Sequence, residues 1–174
     1  MSTASKHIES RIGGRHPYPL VRPGGLFLTL FGVGIIGGVL FNDVVLLVGA
    51  GLAIVSFVFA KALSFGKPTR IQILALAIAI VLELVLIILM GRILPPGTEE
   101  SVRLMVVLII VGLHFLPMAI SFGPRLFGLG ALCILNVSAG LFLTSVAAEL
   151  FLLLDGALKI AFGVWLFSDK ARAE

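Results

Sequence analysis

Six long apolar segments, separated by short polar stretches, dominate the pattern of this 174-residue chain. They cover residues 24–41, 44–60, 71–90, 104–121, 126–143 and 147–167, and the short second segment is expected to extend to Leu63. A helix needs about 20 apolar residues to cross a bilayer, and in lipid each backbone N–H and C=O must find a partner within its own segment. Because the alternating pattern of barrel strands is absent, the sequence predicts an all-α fold, a polytopic membrane bundle of six transmembrane helices.

Composition supports this class and divides the chain. Hydrophobic residues make up 59% of the sequence and charged residues 13%, whereas soluble domains are about 45 to 50% apolar. Residues 1–23 are polar and basic and are predicted to form a tail. Residues 24–167 form the predicted transmembrane domain, and residues 168–174 a short second tail. The first apolar segment ends without a small-residue cleavage site, so we interpret it as an uncleaved span.

The distribution of Lys and Arg predicts the orientation of the chain. With both termini in the cytoplasm, the outer loops hold Arg92 and Arg103, and Lys159 lies within the sixth segment. The other basic residues then lie on the inner side: Lys6, Arg11, Arg15, Arg22, Lys61, Lys67, Arg70, Arg125, Lys170 and Arg172. Inner loops of membrane proteins carry such an excess. The pattern therefore predicts cytoplasmic N- and C-termini. The net charge of +4 is then explained mainly by the basic residues on the inner side of the membrane.

The sequence predicts few partners beyond the lipid bilayer. The N-terminal tail could attract anionic lipid headgroups, by about 1 kcal/mol for each basic residue near the surface. The residues concerned are Lys6, His7, Arg11, Arg15 and His16. A solvated, partly disordered tail is the alternative. No basic patch interleaved with aromatic residues supports nucleic-acid binding.

Prolines next to basic residues divide the segments into three helical hairpins in series. The hairpins begin just after Arg22-Pro23, Lys67-Pro68 and Pro124-Arg125. The spacing of these prolines is uneven, so an internal repeat is left open. Small residues four apart, such as Gly34 and Gly38, let helix backbones approach closely. This spacing predicts a tight bundle, with homo-oligomerisation as the alternative.

Ionisable residues inside the apolar segments are the candidate functional residues, because a charge at the centre of a membrane helix costs about 2.5 to 3.5 kcal/mol. Asp155 and Lys159 are four residues apart and therefore share a helix face. Pro117 cannot donate to the carbonyl of Leu113, which frees an acceptor beside His114. At about 1.5 Å per residue, these side chains fall in one central layer of a core about 30 Å thick. The candidate polar cluster consists of Glu83, His114, Asn136, Asp155 and Lys159.

Three interpretations of this cluster stay open. In the first, it carries protons or binds a small solute, and the protein is a proton-linked or small-solute transporter. In the second, Glu83 and Asp155 neutralise Lys159 and His114, and the cluster only fixes the packing of a structural or interaction protein. In the third, Glu83, His114 and Asp155 ligate a metal that activates water.

The sequence offers little support for the enzyme interpretation. The motifs of zinc proteases, serine hydrolases and phosphate-binding loops are missing. His114 is the sole histidine within the six segments, which excludes a bis-histidine haem site in one chain. The sequence therefore predicts no enzyme, no metal and no cofactor.

Three stretches of the chain carry a resemblance to known sequences. They are residues 64–72 (SFGKPTRIQ), residues 113–117 (LHFLP) with 122–123, and residues 155–159 (DGALK) with 162–163. In these stretches the chain resembles a family of small, uncharacterised bacterial six-span membrane proteins. The resemblance covers the third to sixth segments. It implies the bacterial plasma (inner) membrane as the location and carries over no activity.

Overall fold

The computed structural model describes residues 17–143 and 146–169, and the regular structure in these ranges is helical throughout. The six main helices are α1 (Val21–Leu40), α2 (Asp43–Ser56), α3 (Arg70–Ile93), α4 (Glu100–Phe122), α5 (Arg125–Phe142) and α6 (Ala148–Phe167). A 3₁₀ turn at Phe57–Phe59 and one helical turn at Ala60–Leu63 continue α2. The prediction of an all-α fold is confirmed for the described residues.

Five of the helices, α1 and α3 to α6, are long and apolar enough to cross a membrane. The second helix, counted with its 3₁₀ turn as Asp43–Phe59, is apolar but shorter. Its additional turn at Ala60–Leu63 corresponds to the predicted extension of the second segment to Leu63. These lengths are compatible with a six-helix membrane bundle.

Local signals at or near the edges of the apolar segments set several helix ends. Thr69 and Gln72 form a capping box at the start of α3, in which each side chain accepts a hydrogen bond from the backbone of the other. Asn42 caps α2 by accepting from the backbone N–H of Val45. Gly123 ends α4 with a φ of 107°, a left-handed conformation that glycine adopts without steric cost. At the ends with the capping box and Gly123, α3 and α4 exceed the predicted segments by one residue, whereas their other ends, at Ile93 and Glu100, exceed them by three and four residues.

The six helices form an incomplete ring. In spatial order, α2 packs on α1, α1 on α6, α6 on α5, α5 on α4 and α4 on α3. Helices α2 and α3 stand at the two ends of this order, and the described residues make no extensive contact between them. The ring is therefore open between α2 and α3.

Glycines bring α1 close to its two neighbours. A Cβ atom built on Gly32 would lie 2.6 Å from the carbonyl oxygen of Gly156 on α6. One built on Gly34 would lie 2.9 Å from the Cα of Gly49 on α2. Since real Cβ atoms do not approach other atoms so closely, these crossings require glycine. The small residues of α1 thus serve close packing within the chain.

The predicted tails lie largely outside the described residues. Residues 1–16, with every residue of the predicted headgroup site, and residues 170–174 belong to this part. The described end of the N-terminal tail packs near the start of α3, where the carbonyl of Pro17 accepts a hydrogen bond of 2.8 Å from Gln72 Nε2. The carbonyl of Pro19 accepts one of 3.0 Å from the backbone N–H of Phe65.

Candidate functional site

The five polar residues of the predicted cluster lie in the structure as two pairs and one cross-link. Asp155 and Lys159 form an ion pair on α6. Glu83 of α3 faces His114 of α4. Asn136 of α5 donates to a backbone carbonyl of α6. The two pairs have different surroundings, and the difference bears on what each pair can do.

The Asp155–Lys159 pair is closed off from solvent, with both side chains 0% exposed. Lys159 Nζ donates to Asp155 Oδ2 and lies 3.9 Å from Cys133 Sγ on α5. It also faces the rings of Phe31 and Phe115, at 5.9 and 5.8 Å from their centroids, which is cation–π distance. The ammonium is thus held by α6 itself and by side chains from α1, α4 and α5.

The spacing of four residues explains how two charges can be buried here. It places the carboxylate and the ammonium on one helix face, so they can pair before α6 packs against its neighbours. A single buried charge would be strongly destabilising, whereas a pair is neutral as a unit. One oxygen, Asp155 Oδ1, has no hydrogen-bond partner among the described residues.

The Glu83–His114 pair joins two helices and is less complete. His114 Nδ1 lies 3.6 Å from Glu83 Oε2, which is beyond hydrogen-bond distance. The side chain of His114 is 8% exposed and that of Glu83 is 26% exposed. His114 Nδ1 finds no hydrogen-bond partner among the described residues, and the imidazole packs 4.6 Å from the ring of Phe115. The pair therefore presents polar atoms that the protein leaves unsatisfied.

Both residues of this second pair line a cavity of about 490 Å³. It lies between α1, α2 with its 3₁₀ turn, α3 and α4, where the ring of helices is open. The remaining lining residues are apolar, and four of them are phenylalanines: Phe27, Phe31, Phe57 and Phe115. Small-molecule sites have volumes of about 300 to 1,000 Å³ and combine an apolar wall with a few polar groups. We call this space the Glu83 cavity.

A second cavity of about 350 Å³ adjoins the Glu83 cavity. The two share Phe31, Ala50 and Val111 as lining residues. Asp43 and Glu149, from the first turns of α2 and α6, supply its carboxylates. We call it the acidic cavity.

Neither Asp43 nor Glu149 belongs to the cluster predicted from the sequence. An acid in the first turn of a helix is explained by the helix dipole alone. The sequence does contain a signal that the two residues share. Each lies in the first turn of a helix, on the side of the bundle predicted to face outward. Their proximity depends on helix packing.

Asn136 has a local role as a link between helices. Its Nδ2 donates to the carbonyl oxygen of Phe151 at 2.8 Å, which ties α5 to α6. Ser121 Oγ ties α4 to α3 in the same manner by donating to the carbonyl of Gln72 at 2.6 Å. Neither Asn136 nor Ser121 lines the two cavities described here.

The residues of the metal interpretation do not form a common site. Glu83 and His114 line the cavity, whereas Asp155 is fully buried beside Lys159. Within residues 17–143 and 146–169, no group of three or more His, Cys, Asp or Glu side chains is arranged to hold a metal ion. The geometry thus gives no support to a metal centre made of Glu83, His114 and Asp155.

Comparison with known proteins identifies a family without a known activity. The model of a family of unknown function, DUF6609, matches residues 12–174. No curated protein matches the chain, and no solved structure does. The family description assigns no role to any residue, so the function has to follow from the geometry of the site.

Proposed function

Since the chain belongs to the DUF6609 family of unknown function, we propose from its structure that it is an integral membrane protein that moves protons, alone or together with a small solute, by way of Glu83 and His114. One observation carries this proposal. An acid and a histidine with an unpartnered nitrogen face a cavity of about 490 Å³ between apolar helices. Acidic and histidine side chains inside a membrane are the usual components of proton and ion pathways.

The proposal places all six helices across the bilayer, as three hairpins in series. Counted to Leu63, the second helix and its continuation approach the length that a crossing requires. The first two residues of the helices alternate in charge: they include Arg22, Arg70 and Arg125 in α1, α3 and α5, and Asp43, Glu100 and Glu149 in α2, α4 and α6. Basic residues favour the cytoplasmic side. This alternation supports cytoplasmic termini, and we propose the bacterial inner membrane as the location.

In the proposed mechanism Glu83 is the group that takes up and releases the proton or cation. Its side chain is partly exposed and reaches the cavity, so it can exchange with what the cavity holds. His114, 3.6 Å away, can pass a proton to Glu83 or take one from it after a small movement.

The Asp155–Lys159 pair has a different role in this proposal. Both side chains are completely buried, and neither lines the Glu83 cavity. The pair fixes the position of α6 against α1, α4 and α5. The structural interpretation of the polar cluster thus applies to this pair, and the transport interpretation applies to Glu83 and His114.

Proton flux into liposomes tests the proposal. The purified protein is reconstituted with an entrapped pH-sensitive dye, and a potassium gradient with valinomycin supplies the driving force. Wild-type protein should acidify the lumen faster than protein-free liposomes, and Glu83→Gln should abolish the difference.

Glu100→Gln is the matched control, because this carboxylate at the start of α4 lines neither cavity. It should retain the wild-type flux. Equal flux in wild type and Glu83→Gln would contradict the proposal. A wild-type flux no greater than that of empty liposomes would exclude proton movement without a solute.

A further inference from the structure

We propose that the Glu83 cavity takes a hydrophobic amine in its protonated form, with the ammonium group between Glu83 and His114 and the apolar body among the phenylalanine rings. This inference rests on the proposed function and names the class of solute. It combines an acid, an unpartnered buried nitrogen, an aromatic wall and the charge of the adjoining cavity.

Two acceptors of the cavity are placed for one donor group. Glu83 Oε2 and His114 Nδ1 lie 3.6 Å apart, too far for a hydrogen bond to each other. His114 is more than nine-tenths buried, lines the cavity and leaves Nδ1 without a partner among the described residues. With its proton on Nε2, the imidazole accepts at Nδ1. An ammonium group carries several N–H donors and can satisfy both acceptors once the imidazole turns its buried Nδ1 toward the cavity.

The walls of the cavity suit an apolar cation better than a hydrated one. The rings of Phe27, Phe31, Phe57 and Phe115 line it, and Glu83 and His114 are its ionisable groups among the described residues. Aromatic faces attract cations, and apolar walls favour a hydrophobic body over bound water. A cavity of about 490 Å³ has room for a compact cage or bicyclic amine.

The charged side chains that line the two cavities are carboxylates. The adjoining acidic cavity contains Asp43 and Glu149, and none of the described residues that line either cavity is Lys or Arg. The ammonium of Lys159 is paired with Asp155 and lies against the rings of Phe31 and Phe115. Carboxylates in an apolar groove complement a cation, whereas a lipid acyl chain would gain nothing from them. The occupant that the charges favour is therefore an amine.

Binding of adamantylamine to the purified full-length protein in detergent tests the inference. Adamantanol and adamantane carboxylate have the same cage with a neutral and a negative group, and titration into empty micelles corrects for partitioning. Isothermal titration calorimetry should show saturable binding of one amine per chain. The alcohol and the carboxylate should bind at least about tenfold more weakly.

Variants locate the binding at the cavity. Glu83→Gln should weaken amine binding at least about tenfold, Glu83→Asp should retain most of it, and Glu100→Gln should leave it unchanged. Thermal unfolding of each variant shows whether it is folded, and Glu83→Asp keeps the charge if the amide is not tolerated. Trimethyladamantylammonium has the charge but no N–H, so it should bind more weakly than the amine.

Two outcomes of the binding experiment would overturn the inference. Equal binding of amine, alcohol and carboxylate would show that the Glu83 cavity selects only for an apolar body, such as a lipid chain, and not for a cation. An absence of amine binding by folded wild-type protein would exclude this solute class. If proton flux still required Glu83 in that case, the proposed function would stand and only the solute class would fall; if flux were absent as well, both would fall.

Discussion

The two polar pairs of this bundle contain similar groups in opposite settings. Asp155 and Lys159 lie on one helix and are completely buried. Glu83 and His114 lie on two helices, remain 3.6 Å apart and face a cavity. The position of the partner decides whether a charge is buried or faces the cavity. A charge with a partner four residues away can be sealed into the core, whereas a charge whose partner is on another helix depends on how the two helices meet.

The position of each helix in the ring explains the rest of the difference. Helix α6 lies between α1 and α5, and glycines bring it into close contact with α1. Helix α3 is the end of the ring and packs on α4 alone to any large extent. Most of its apolar side chains are exposed, as expected for a surface in contact with lipid. Glu83 therefore borders the opening, and Lys159 does not.

The largest effect is expected for Lys159→Met. This substitution leaves the Asp155 carboxylate fully buried without its partner, so it should lower the free energy of unfolding by about 3 to 5 kcal/mol. Asp155→Asn should have a similar effect. Denaturant unfolding of the protein in detergent measures both.

The double variant Asp155→Asn/Lys159→Met is the control for this prediction. Removing both charges should restore part of the lost stability, because no uncompensated charge remains. If the two single effects simply added in the double variant, the ion pair would have no structural role.

A smaller loss of stability is expected for Gly163→Ala in α6. A Cβ atom there would lie 2.6 Å from the backbone nitrogen of Thr29 on α1. Separation of the two helices should cost about 1 to 3 kcal/mol. Gly51→Ala on α2 is the matched control, since a Cβ atom at Gly51 meets nothing within 4 Å. Equal melting temperatures for the two variants would contradict the close packing of α1 on α6.

Asn136→Ala should cost about 1 kcal/mol, the usual net contribution of one hydrogen bond. The substitution removes the donor to the Phe151 carbonyl and with it this side-chain link between α5 and α6. Thermal unfolding measures the loss, and proton flux in liposomes should stay at the wild-type level. A loss of flux in a stable Asn136→Ala protein would show that Asn136 belongs to the pathway.

The smallest change in stability is expected for Glu83→Gln, within about 0.5 kcal/mol of wild type. The side chain is 26% exposed and makes no hydrogen bond to His114, so an amide of the same size can replace it. Unfolding in detergent, performed beside Lys159→Met, gives the comparison. A loss of several kcal/mol would make Glu83 a structural residue.

The sequence could predict what depends on a single helix. The apolar segments predict where the helices lie, because a helix that crosses lipid needs a long apolar run. The pairing of Asp155 with Lys159 follows from a spacing of four residues. The helix ends were predicted less closely: α3 ends at Ile93 and α4 begins at Glu100, three and four residues beyond the predicted segments.

The division of the polar residues into two pairs could not be predicted. Depth along a helix places Glu83 and Asp155 in one layer, but the rotation of α3 and α6 decides which neighbours they meet. The ring order, with α2 and α3 at its ends, arises from tertiary packing. The same packing brings Asp43 and Glu149, which are more than 100 positions apart in the chain, to one cavity.

Proton flux measured side by side for two variants tests the contrast between the pairs most directly. Glu83→Gln and Asp155→Asn/Lys159→Met are reconstituted at equal protein content, after unfolding curves show that both are folded. We predict that Glu83→Gln reduces the flux to that of protein-free liposomes, while the double variant retains most of the wild-type flux. Flux that survives in Glu83→Gln and disappears in the folded double variant would contradict this assignment and make the buried ion pair the functional one.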